Sequence, residues 1–125
     1  MIDFEWLQNE LVQVLRWQLA NPGREDDPEA PEVPFAGRRV WSIFLDLNSE
    51  RSVGFGPGPI TSAAIEAWAR LRREPVRPWE LTIIRALDAA FLDKARDTVE
   101  RQGKSADQRY TAETLTPEMF RAMFR

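Results

Sequence analysis

Three carboxylates, Glu66, Glu80 and Asp88, are the side chains in this sequence best placed to act as general acids or bases. Such chemistry needs a nucleophile beside a base, or a metal with ordered ligands. The 125-residue chain has no His and no Cys. That removes the commonest base, the commonest metal ligand and the thiolate. Each acid also falls where a helix needs solubility, a cap or an ion pair. The acids around Pro28 lack the turn glycine and ligand spacing of a calcium loop. Gly54, Gly56 and Gly58 suggest a phosphate cradle, but Pro57 and Pro59 delete backbone N–H groups and no strand precedes them. The expectation is a non-enzymatic binding protein with no catalytic residue, metal or cofactor.

The elements that position these residues centre on Val53 to Leu92. Gly54, Gly56, Pro57 and Pro59 build a stiff elbow that carries Phe55, either into the protein's own core or towards a partner. Thr61 is a good N-cap. Ile65, Trp68 and Leu71 recur at a spacing of three and predict one buried helical face. Pro75 and Pro78 end that helix, and Pro78 opens the next with Glu80 in its first turn. Ile83, Ile84, Leu87, Phe91 and Ala95 form the buried stripe of a helix supported to about Gly103 by acid-first pairs at i,i+4. Trp68 and Trp79 are expected to pack in the corner between the two helices. Asp88 lies at the edge of the stripe and needs a cation, with Arg51 and Arg70 the candidates.

Residues 3–20 read as an amphipathic helix capped by Asp3, with Phe4, Leu7, Leu11, Val14 and Leu15 on one face. Trp6 and Trp17 lie to the side as candidate partner contacts. Residues 21–34 hold four Pro and five acids, a composition expected to stay extended and solvated. Residues 38–49 read as a helix with Val40, Phe44 and Leu47 in one row and Trp41 and Leu45 in the next. After a polar stretch, Thr116-Pro117-Glu118 starts a short helix whose face is Met119, Phe120, Met123 and Phe124. That segment cannot stand alone in water and must dock, on this domain or on another chain. The fold class is all-α: a small bundle of four to five helices near 3–20, 38–49, 62–73, 79–103 and 117–124, with a Pro-rich acidic linker after the first. The organisation is an N-terminal helix (1–20), the linker (21–34), a helical core domain (35–104) and a C-terminal linker with its short helix (105–125). The core should contain Val40, Phe44, Leu47, Ile65, Trp68, Leu71, Ile83, Leu87 and Phe91.

Five Trp and seven Phe in 125 residues supply a core large enough to fold without staples. No apolar run is long enough for a membrane span or a signal peptide, so a cytoplasmic protein is expected. Residues 1–50 carry four basic and ten acidic groups, and residues 51–125 thirteen basic and ten acidic. The two helices from 61 to 92, with Arg70, Arg72, Arg73, Arg77 and Arg85 nearby, outline a helix-turn-helix. Glu80 and Asp88 on its second helix, and the acidic net charge of −3, weigh against DNA.

The order Gly-Phe-Gly-Pro-x-Pro-Ile-Thr (54–61), Ile-x-Ala-Trp-x-Arg-Leu (65–71), Pro-Trp-Glu (78–80) and Leu-Asp-Ala-Ala-Phe-Leu (87–92) resembles the tail assembly chaperones of long-tailed phages and prophages. The resemblance spans Trp41 to Leu92, with a weaker echo in Pro-Glu-Met-Phe-Arg-Ala-Met-Phe (117–124), and does not extend before Phe35. It implies an assembly factor in the bacterial cytoplasm that binds the tape-measure protein, the tail-tube protein or both, with self-association as a further expectation. A tail component retained in the virion is the structural alternative.

Overall fold

The computed structural model describes residues 3–51 and 58–105, with side chains through Thr98. Among them are four α-helices and no strand: α1 (Phe4–Ala20), α2 (Arg38–Ser49), α3 (Ser62–Arg72) and α4 (Pro78–Ser105), with a 3-10 turn at Phe35–Gly37. The expected helix at 117–124 lies outside the described residues. Asp3 and Thr61 cap α1 and α3, accepting 3.0 Å bonds from the backbone N–H groups of Trp6 and Ala64. Each supplies one of the partners that a helix start otherwise lacks.

α4 is the spine. Ile83, Ile84, Leu87, Ala90, Phe91 and Ala95 are buried in one core with Leu7, Leu11, Val14, Leu15 and Leu19 of α1 and Val40, Ile43, Phe44 and Leu47 of α2. α1 is therefore part of the core and not a separate arm. Phe4 at the start of α1 stacks on Trp79 at the start of α4, while Leu19 lies beside Ala90 and Asp93, so the two helices run parallel. α2 runs the same way, because Arg39 reaches Glu80 and Arg51, just past its end, reaches Asp88. α3 returns antiparallel, from Ser62 beside Arg85 to Arg72.

Parallel neighbours need a long return, and residues 21–34 provide it. Their surface is largely exposed, but the backbone is not extended as composition suggested. Three turns succeed one another: Arg24 N–H donates to Asn21 O (3.2 Å), Asp27 N–H to Arg24 O (3.0 Å) and Ala30 N–H to Asp27 O (2.9 Å). Asp27 accepts from the Glu29 N–H at 2.8 Å and from the Arg24 guanidinium. The short acid side chain offers the backbone a local partner, which fixes a turn where charge alone would favour a coil. Val33 then packs on the core.

Gly37 is where the chain re-enters the bundle. A Cβ on it would come within 3.0 Å of the Leu7 and Leu11 methyl groups. Its lack of a side chain lets the turn before α2 press against α1.

One expected core position, Leu71, and two expected face positions, Phe4 and Leu45, differ. Leu71 is 79% exposed. At 100° per residue a spacing of three drifts about 60° per step, so Leu71 has rotated off the face of Ile65 while Arg72 falls into it. Phe4 is 41% exposed because it is the first residue of α1, at the end of the bundle, although it shares the phase of the buried face; Leu45 is 38% exposed and lies at the margin of the buried arc of α2. Trp68 and Trp79 are drawn to different helices: Trp68 bonds to Asp46 of α2, and Trp79 stacks on Phe4 of α1.

Candidate partner-binding surface

Three polar joints hold the frame that presents the surface. At the first, Arg51 has a side chain only 4% exposed. Its Nε donates to Asn48 Oδ1 (2.8 Å), its Nη1 to Gly58 O (2.6 Å), and its Nη2 lies 2.6 Å from Asp88 Oδ1. The guanidinium stands 4.3 Å from the Phe91 ring centre. Asp88 Oδ2 accepts the Ile60 N–H at 3.1 Å. Burial pushes the Arg51 guanidinium below its ordinary pKa, and Asp88 opposes that shift. Arg51 and Gly58 flank the elbow, so this one joint ties both its ends to α4. Arg70 takes no part in it.

At the second joint, Glu80 is fully buried. Its Oε1 accepts the Arg77 N–H (2.9 Å), the reciprocal half of a capping box, and its Oε2 pairs with Arg39 at 3.3 Å. Arg39 also donates to Pro75 O at 2.7 Å, fixing the loop between α3 and α4. At the third, Asp46 Oδ2 accepts from Trp68 Nε1 (3.2 Å) and pairs with Arg72 (3.1 Å), whose guanidinium lies over the Trp68 ring. The candidate acids Glu80 and Asp88 are thus joints of the frame. Among the described residues no cluster of metal-ligating side chains occurs, and no helix is long and apolar enough to cross a membrane.

The exposed aromatics gather where α1, α2 and α4 begin. Trp6 is 51% exposed and Phe35 84%. The Phe4 and Trp79 rings stack at 4.7 Å, and Arg38 covers one face of Phe35. Trp17 is half-buried. Two separate hollows lie along the α1–α4 seam. Phe4, Gln8, Trp79 and Thr82 line the lower one, and Arg16, Leu19, Ala90, Asp93, Lys94 and Asp97 the upper one.

Of the expected contact residues, Trp6 presents half its surface. Phe55, Met119, Phe120, Met123 and Phe124 lie outside the described residues, as do Gly54, Gly56 and Pro57 of the elbow. Pro59 is exposed and Trp68 buried. Sequence reasoning missed the stacking of Phe4 on Trp79 and the fit of Gly37 against α1, which depend on contacts across helices, and also the local bond from Arg51 to Asn48 at the end of α2. The helix-turn-helix outline meets an obstacle in the packing. A recognition helix offers one face to a groove, whereas α4 buries a broad arc between α1 and α2, and Arg72 and Arg85 are engaged by Asp46 and Ser62.

The family model described as Phage tail assembly chaperone matches residues 19–93. The chain belongs to that family. No curated protein and no solved structure matches it. In this tail assembly chaperone the matched span runs from the last turn of α1 into α4. It starts well before Trp41 and takes in the Pro-rich linker, which the residue pattern had left out. It stops before the C-terminal Met/Phe segment that had looked like an echo. All three polar joints lie inside it; most of α1, and with it Phe4 and Trp6, lies outside.

Proposed function

We propose that this tail assembly chaperone binds helical segments of the tape-measure protein, the tail-tube protein or both in the host cytoplasm, without catalysis, and is absent from the finished particle. The observation that carries this reading is the family match across the α2–α4 frame. The open aromatic end of the bundle is compatible with it. Phe4, Trp6 and Trp79 offer rigid apolar area at small entropic cost, the kind of contact that dominates protein interfaces. Trp6, Trp17 and Phe55 are the contact residues we assign to the partner.

Co-expression tests the reading. The tape-measure protein from the same tail module should stay soluble with this chain and aggregate without it. Trp6→Ala together with Phe4→Ala should weaken that rescue while leaving the helical content intact. Unchanged aggregation would remove the reading. Mass spectrometry of purified particles should find the chain missing; its presence there would favour a structural component.

A further inference from the structure

We infer that two copies of this chain pair through the outer faces of α3, antiparallel about a two-fold axis. The inference does not depend on which tail protein the chaperone binds. α3 buries Ile65 and Trp68 and turns Arg72 onto Asp46 of α2. Its opposite face carries Ala63, Ala67 and Leu71 at i,i+4 spacing, with Ala64 beside them. Leu71 is 79% exposed, Ala63 and Ala64 are exposed and Ala67 is half-buried. The apolar face of α3 that ends on Leu71 therefore meets water.

Charge fixes what covers it. Glu66 and Arg70 stand one turn apart along the same edge of that face, and both are exposed. Among the described residues, neither side chain takes part in an ion pair or hydrogen bond. A two-fold axis crossing α3 at the level of Trp68 lies midway between them, about 3 Å along the helix from each at 1.5 Å per residue. That axis sets Glu66 of one copy opposite Arg70 of the other, and does so twice. It also brings Leu71, three residues beyond the axis, to the level of Ile65 in the second copy, over the notch between Ala64 and Ala67. The large side chain meets the small ones, and the small ones let the helices come close. A parallel pair would leave the two charged edges on opposite sides of the interface.

One face thus carries both halves of its own complement, as a closed two-fold contact requires. An acidic peptide would satisfy Arg70 but oppose Glu66, and a basic one the reverse. The contact is one 11-residue helix on its copy. That is below the size of a standard stable interface, so pairing is weak and depends on concentration. In dilute protein the face is open, and Leu71→Ser then changes the stability of the monomer little.

Sedimentation equilibrium of the full-length chain tests this. The parent protein should show a monomer–dimer equilibrium that shifts with concentration. Glu66→Arg or Arg70→Glu alone turns both attractions into repulsions and should weaken the dimer about tenfold. Mixing those two single variants should bring the dimer back as a one-to-one hetero-pair, because each supplies the charge the other needs. The Glu66→Arg/Arg70→Glu double variant should pair like the parent. Leu71→Ser should weaken pairing with helical content unchanged by circular dichroism. A parent protein that stays monomeric up to about 1 mM, a dimer indifferent to the charge changes, single variants that fail to pair with each other, or a dimer untouched by Leu71→Ser would each overturn the proposal. So would a monomeric chain whose Leu71→Ser variant loses only its hold on the tape-measure protein, since the face would then belong to a tail protein.

Discussion

Arg51 Nη2 stands 2.6 Å from Asp88 Oδ1, and both side chains are more than nine-tenths buried. The pair connects the end of α2 to the middle of α4, and through Gly58 O and the Ile60 N–H it holds the segment leading into α3. Removing one partner of such a pair strands the other charge, which costs far more than the pair itself contributes. Asp88→Ala should therefore lower stability by about 3 kcal/mol in urea denaturation. Joint replacement, Arg51→Met with Asp88→Leu, should recover much of that loss. Equal losses in the single and double variants would show that the hydrogen bonds to Asn48, Gly58 and Ile60 matter more than the charge.

Trp68 and Leu71 form a contrast within one helix. Trp68 is 8% exposed and Leu71 79%. Trp68→Ala should cost about 3–5 kcal/mol, whereas Leu71→Ser should stay within about 0.5 kcal/mol. Thermal unfolding of the two variants side by side checks this; comparable losses would mean that Leu71 is covered in solution.

Much of this architecture is legible in the residues, and the illegible part has a common cause. Caps at Asp3 and Thr61, the break at Pro75 and Pro78, and the need of Asp88 for a cation all follow from local chemistry and helical period. Gly37 carries no such signal, because the methyl groups it admits belong to Leu7 and Leu11, about thirty residues earlier. The stacking of Phe4 on Trp79 is long-range in the same way. Leu71 shows the limit of period reading on an eleven-residue helix, where a row spaced by three leaves the buried face within two steps. The partner surface is harder still to read. Exposure of Trp6 is a matter of what fails to cover it, and the family match ends before the Met/Phe segment.

Gly37→Ala probes the close approach between α1 and the turn before α2. The new methyl would meet Leu11 at 3.0 and 3.1 Å and Leu7 at 3.0 Å, and both leucines are fully buried. Overpacking of this kind costs about 1–3 kcal/mol. Adding Leu11→Val should recover part of the loss by making room. A Gly37→Ala protein as stable as the parent would mean that α1 shifts freely, and hydrogen exchange in α1 would then be faster than elsewhere in the bundle.

Asp27 gives the linker a pH signature. The Glu29 N–H, then the Arg24 guanidinium, hold its carboxyl below its ordinary pKa. A carboxyl depressed in the folded state favours folding above its unfolded value, and that contribution fades as pH falls through the folded one. The side-chain carboxyl resonance of Asp27 should therefore titrate below an ordinary Asp, with the Glu29 amide shifting in step. Because the site is exposed, the effect is local: the turn at 24–29 should loosen in acid before the helices do. An ordinary Asp midpoint would mean that this turn is not held in solution.

Arg73 ends α3 with φ 55° and ψ 38°, the one non-glycine residue with positive φ among those described. The conformation closes the helix, because the Glu74 N–H can then reach back to Ala69 O at 3.0 Å. For an L-residue it costs roughly 1–2 kcal/mol through the clash of Cβ with the following carbonyl, a cost glycine does not bear. Glycine loses part of the advantage through its freer unfolded state. Arg73→Gly should thus raise stability by about 0.5–1 kcal/mol, or Tm by about 3 °C. Arg73→Ala separates backbone from charge: it keeps the Cβ and removes the guanidinium, so it should gain nothing. If Ala stabilised as much as Gly, relief of repulsion among Arg70, Arg72 and Arg73 would be the cause. If neither did, the left-handed cap would be free of strain and the helix end held by Arg39 on Pro75 instead.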